Sequence, residues 1–98
     1  MLTSEDYIKA STRKWEELAA RPDIVGKKIE YRSGRSIEAE GKISRIEVGN
    51  GRVSIYCSDD TSSPFKEFAI DKENGPSGIN RTIFADLDDD SRNLQIHL

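Results

Sequence analysis

Between Ser4 and Arg21 the inward-facing positions recur at three- and four-residue steps; after Pro22 the step shortens to two. The first spacing sets Ile8, Ser11, Trp15, Leu18 and Ala19 on one stripe and predicts a helix over residues 4–21. Thr3 or Ser4 can cap its start, and Glu5 and Asp6 put negative charge in the first turn, where the unpaired N–H groups favour it. Pro22 ends it. Trp15, the one large aromatic on the stripe, reads as the anchor of this helix on the rest of the fold.

The two-residue step predicts strands. Ile29 and Tyr31 alternate with Lys28, Glu30 and Arg32 before a turn at Ser33-Gly34-Arg35. Centring that turn on Gly34 sets Tyr31 opposite Ile37, Ile29 opposite Ala39 and Lys28 opposite Glu40. Over residues 36–48 the apolar positions slip from odd (Ile37, Ala39, Gly41, Ile43) to even (Ile46, Val48), which is the signature of a β-bulge near Ser44-Arg45. Asn50-Gly51 then predicts a two-residue hairpin, because both turn positions need a positive φ. Its register pairs Val48 with Val53, Ile46 with Ile55 and Ser44 with Cys57, so Cys57 reads as a buried, inert thiol.

Residues 58–64 form a polar loop, and 65–70 a strand with Phe68 and Ile70 on one face. Residues 71–80 are irregular; their glycines lack the Gly-Lys-Ser/Thr ending of a phosphate loop. A last hairpin folded about Asp90-Ser91 sets Leu87 opposite Leu94, Ala85 opposite Ile96 and Ile83 opposite Leu98. The whole predicts one domain over 1–98: the helix, then antiparallel β-structure over 27–98. The fold class is mainly β with one N-terminal helix (α+β), as a small, partly open antiparallel barrel; the alternative is a helix packed on an antiparallel sheet. The stretch Val25-Gly26-Lys27-Lys28-Ile29-Glu30-Tyr31, through Gly34 and Gly41 to Ile55, resembles in outline the first three strands of SH3-like and Sm-like barrels. The resemblance covers about a third of the chain and implies a fold; no RNA-binding residue carries over with it.

Charge and cysteine content narrow the setting. The net charge of −3 divides unevenly: residues 1–52 hold eleven Lys/Arg against nine Asp/Glu (+2), and residues 53–98 hold four against nine (−5). That balance does not suit a dedicated duplex-DNA binder; the acidic half points instead to a protein partner or simply to solubility. A single cysteine allows no internal disulfide, and neither a leader-like segment nor an apolar run of membrane-spanning length is visible, so the expected setting is cytoplasmic, away from membrane. The sequon Asn80-Arg81-Thr82 carries no weight in such a setting.

No constellation reads as an active site. His97, the only histidine, falls on the strand face opposite Ile96 and Leu98 and reads as solvent-facing, with nothing to bring it to Cys57 or a serine. Asp86, Asp88 and Asp90 match the first three ligand positions of an EF-hand loop, but Ser91 stands where glycine is needed and His97 where the closing glutamate is needed. The cluster reads as a charged hairpin tip, and Glu16-Glu17 and Asp59-Asp60 as solvated surface. The remaining candidate is a surface. Arg45 pairs with Tyr56 opposite the apolar face, with Lys42 and Arg52 nearby, and Arg and Tyr are enriched where interfaces concentrate their energy. The same pair could be an ordinary cation–π contact or could stack single-stranded bases. The reading is a non-enzymatic interaction module, of adaptor or inhibitor type, that binds another protein or a copy of itself. It uses no metal or cofactor; the alternatives are a weak RNA or single-stranded DNA binder and, third, an enzyme or small-ligand binder.

Overall fold

The computed structural model describes residues 3–58, 63–70, 81–86 and 89–98, giving the backbone alone for 81–86 and 89–92. Helix α1 (Ser4–Ala19) starts from Thr3, whose Oγ1 accepts from the Asp6 N–H while the Asp6 carboxylate accepts from the Thr3 N–H, a reciprocal cap. It ends at Ala19, two residues short of the expected 21, because the residue before a proline is disfavoured in helical conformation. Six strands follow among the described residues: β1 (Lys28–Ser33), β2 (Ser36–Gly49), β3 (Arg52–Cys57), β4 (Lys66–Ala69), β5 (Arg81–Asp86) and β6 (Asp89–His97). They form one antiparallel sheet in the order β4-β3-β2-β1-β6-β5, so β4 and β5 are its edges and the sheet is not closed.

The architecture turns on β2. Its first half pairs with β1 and its second half with β3, and the register slips between Ile43 and Arg45, where the change of phase had placed a bulge. Ser44 is the extra residue, which is why Cys57 faces Ile43 and not Ser44. Past the bulge the register is as read: Ile46 opposite Ile55 and Val48 opposite Val53. The hairpin that fixes it has Asn50 at φ 54 and Gly51 at φ 72. A Cβ built on Gly51 meets no atom within 4 Å, so replacing it costs backbone strain alone. Gly51→Ala should lose about 1–2 kcal/mol in urea unfolding, whereas Gly49→Ala, with open space and no positive φ, should not destabilise.

The other two hairpins keep their elements but change register. The β1–β2 reversal occupies Gly34-Arg35, between Ser33 and Ser36, with Gly34 at φ 58. A second slip then intervenes: Arg32 faces Ile37 but Tyr31 faces Ala39, Ile29 faces Gly41 and Lys28 faces Lys42. The single glycine marked a turn without fixing its length, and the slip at Glu38 was not visible in the alternation. In β5–β6 the reversal lies between Asp86 and Asp89, not at Asp90-Ser91. Leu94 therefore pairs with Phe84, Ile96 with Thr82 and His97 with Arg81. The offset chosen from apolar pairs fails because β6 is an interior strand: its other side pairs with β1, Leu94 opposite Tyr31 and Ile96 opposite Ile29.

One face of the sheet and the helix share the core. Ile29, Ile43, Val53, Ile55, Leu94 and Ile96 come from four strands and are at most 1 % exposed; Phe68 and Ile70 add the β4 end, as the alternation there predicted. Trp15, fully buried, meets the Phe68 ring edge-on at 5.4 Å and 63°, and Leu18 lies beside it in the same cluster. Cys57, 2 % exposed, belongs to this core. The sheet curls enough for Lys66 on β4 to sit 4.3 Å over the Tyr31 ring on β1, three strands away in sheet order. The opposite face carries the candidate site.

Candidate interaction surface

The registers arrange the outer face in rows. On β3, Arg52, Ser54 and Tyr56 alternate with the buried Val53, Ile55 and Cys57, so all three face outward. Arg45 pairs with Tyr56 in register, and its guanidinium stacks 4.0 Å from the ring centroid. Its Nε is 3.5 Å from Glu47 Oε1, with both side chains 56 % exposed. The cation–π reading of this pair is thus the geometry found.

Arg52 is elsewhere. It lies four residues from Tyr56 along β3, about 13 Å, at the Asn50-Gly51 end, where its Nε donates to Glu67 Oε1 at 3.0 Å. It borders a shallow groove of about 380 Å³ shared with Glu47, Ser54 and Glu67. Lys42 precedes the bulge and faces Lys28 of β1. The four candidate residues therefore fall into three places: Arg45 with Tyr56, Lys42 beside Lys28, and Arg52 beside Glu67.

Alternation alone did not reveal the neighbourhood of Glu30. It is an outward position on β1, yet its side chain is only 5 % exposed. Arg32 Nη1 donates to Oε2 at 2.8 Å, Lys28 Nζ lies 3.3 Å from Oε1, and His97 Nε2 lies 3.2 Å from the same oxygen. The imidazole is within ion-pairing distance when protonated but is not aligned for a hydrogen bond. Burial by itself would push this carboxyl up; the bonds from Lys28 and Arg32, with the charges of His97 and Lys28, outweigh that and hold it below its usual value. Lys28 also spans diagonally to Glu40 Oε2 at 3.5 Å, which relieves the like-charge pairing of Lys28 with Lys42 and of Glu30 with Glu40. His97 is half-exposed on this face, as its position in the alternation implied, but its Nε2 turns inward over Glu30. Only the pairing of β1 with β6 could have revealed that contact.

Cys57 belongs to the core face and His97 to the other, so the two are separated by the sheet. Among the described residues no group of three or more His, Cys, Asp or Glu is placed to hold a metal ion. The Asp86–Asp90 side chains, Asp59-Asp60 and Asn80 lie outside what is described. No helix among the described residues is long and apolar enough to cross a membrane. Compared with known proteins, the chain matches no family model, no curated protein and no solved structure.

Proposed function

We propose that this chain is a non-enzymatic interaction module, an SH3-like β-domain of adaptor or inhibitor type that binds another protein through the outer face of β2 and β3. The observation that carries the reading is the Arg45–Tyr56 stack on that face. Arg and Tyr are the residue types in which binding energy concentrates. An arginine already held against a ring also has less rotamer freedom left to lose when a partner arrives. The lone cysteine, buried in the core, suits a reducing, cytoplasmic setting.

The chain recovered from its native cells should carry a protein partner, or a second copy of itself, in stoichiometric amount. Arg45→Ala combined with Tyr56→Ala should release that partner while the thermal midpoint of the isolated protein changes little. A chain that is recovered alone and sediments as a monomer would overturn the reading.

A further inference from the structure

The Asn50-Gly51 turn ties a reactive pair of residues to the register of β2 on β3. Both residues are exposed, and among the described residues neither the Asn50 side chain nor the Gly51 N–H makes a hydrogen bond. The space beside Gly51 is open, since a Cβ built there meets nothing within 4 Å. In such a pair the glycine nitrogen can attack the asparagine Cγ. The N–Cγ bond forms, the Cγ–Nδ2 bond breaks, and ammonia leaves with the proton that the Gly51 nitrogen gives up. Water then opens the cyclic imide at either carbonyl, leaving aspartate or isoaspartate.

The closed turn withholds the attacking atom. Asn50 at φ 54 and Gly51 at φ 72 are the two positive angles of a type I′ turn. In that left-handed conformation the carbonyl oxygen of Asn50 lies beside its own Cβ. The Gly51 nitrogen, on the other side of the same planar carbonyl carbon, therefore points away from the Asn50 Cβ and Cγ. Rotating the side chain does not close that gap; the backbone must first leave the turn conformation. Two contacts keep it there: Gly49 pairs with Arg52 across the hairpin, and the Ile70 N–H donates to the Gly51 carbonyl at 2.8 Å.

We infer that Asn50 is a deamidation site gated by the β2–β3 hairpin, protected while the turn is closed and converted when it opens. Isoaspartate carries the chain through Cβ and Cγ, adding a carbon to the backbone of a turn whose fit depends on its length. The hairpin then cannot reclose in its old register, which sets Val48 against Val53, Ile46 against Ile55 and Arg45 against Tyr56. An opening that is otherwise reversible becomes a permanent mark, and it reaches the Arg45–Tyr56 face from the far end of the hairpin. None of this depends on what that face binds.

Trypsin cleaves after Arg45 and Arg52, so the fragment 46–52 reports Asn50 alone; the other Asn-Gly pair, Asn74-Gly75, falls in a different fragment. The full chain and a synthetic peptide of residues 46–52 are incubated side by side at neutral pH, and amide loss and isoaspartate are followed by mass spectrometry and chromatography. The peptide should convert, and the full chain should lag by about tenfold or more, because local opening keeps the reactive form scarce. Urea below the unfolding midpoint should speed the full chain, and so should Val53→Ala, which thins the core beside the turn. With Asn74→Gln in every sample, the isoaspartyl form should unfold at a lower temperature than Asn50→Asp, which has the carboxylate, an ordinary backbone and an Asp-Gly pair that suits the same turn. Three results would each overturn the inference: a full chain that converts as fast as the peptide, a rate that urea leaves unchanged, or an isoaspartyl form that unfolds together with Asn50→Asp.

Discussion

Trp15→Ala is expected to remove about 3–5 kcal/mol of folding stability, more than the loss expected at the Gly51 turn. A domain of this size has about 5–15 kcal/mol in total, so the variant would be partly unfolded at moderate temperature. Three observations set the size. Trp15 is fully buried, it supplies the edge-on contact with Phe68, and it is the largest fully buried side chain linking α1 to the sheet. Truncation opens a cavity between two layers that cannot collapse without moving the whole helix. Because Trp15 is the only tryptophan, unfolding must be followed by circular dichroism, with the thermal midpoint falling by more than about 12 °C. Tyr7→Ala, on the same helix but 46 % exposed, should shift it little. A Trp15→Ala protein as stable as wild type would show that the helix is not held by this contact.

Glu30→Gln is the second large effect, and it differs in its pH dependence. At neutral pH the substitution leaves Arg32, Lys28 and His97 without the carboxylate they converge on. The expected cost is about 1–3 kcal/mol. The lower part of that range is favoured because Glu30 is covered by one layer of half-exposed side chains and not by deep core, so solvent screens its partners. The folded-state value of the Glu30 carboxyl lies below its usual 4.5. The folded protein therefore binds this proton less readily than the unfolded chain does. The stabilisation is present above the unfolded value and is lost as the pH falls through the folded one. Urea midpoints of wild type and Glu30→Gln should differ most near neutrality and converge as the pH falls through the folded-state value of Glu30. Asp6 and Asp23, whose carboxyls are also held low, by Thr3 and by Arg21, titrate in both proteins and cancel from the difference. A gap that stays constant down to acid pH would mean that the carboxylate charge contributes nothing to the fold.

What was legible in the chain was whatever depends on near neighbours. The helix, its cap and the Ser11–Trp15–Leu18 stripe follow from residues three and four apart. The β2–β3 register follows from the positive φ that Asn50 and Gly51 supply, and the bulge at Ser44 from a change of phase within one strand. The Arg45–Tyr56 pair inherited its place from that hairpin. Where the turn lacked such a pair of residues, at Gly34 and before Asp89, the strands were right and their offsets were not. A two-residue alternation gives a strand its faces but says nothing of how far it slides along its neighbour.

The tertiary structure alone decided the pairing of β1 with β6, which joins residues some sixty positions apart in sequence, and with it most of the candidate surface. An outward glutamate between a lysine and an arginine reads as solvated surface until β6 brings His97 over it. Lys42 and Lys28 read as separate charges until the slip at Glu38 sets them side by side. By itself the sequence determined a helix on an antiparallel β-structure with one apolar face, because periodicity is a property of consecutive residues. Which outer-face charges become neighbours depends on strand offsets and on sheet order, and those are set only when distant strands compete to bury the same core.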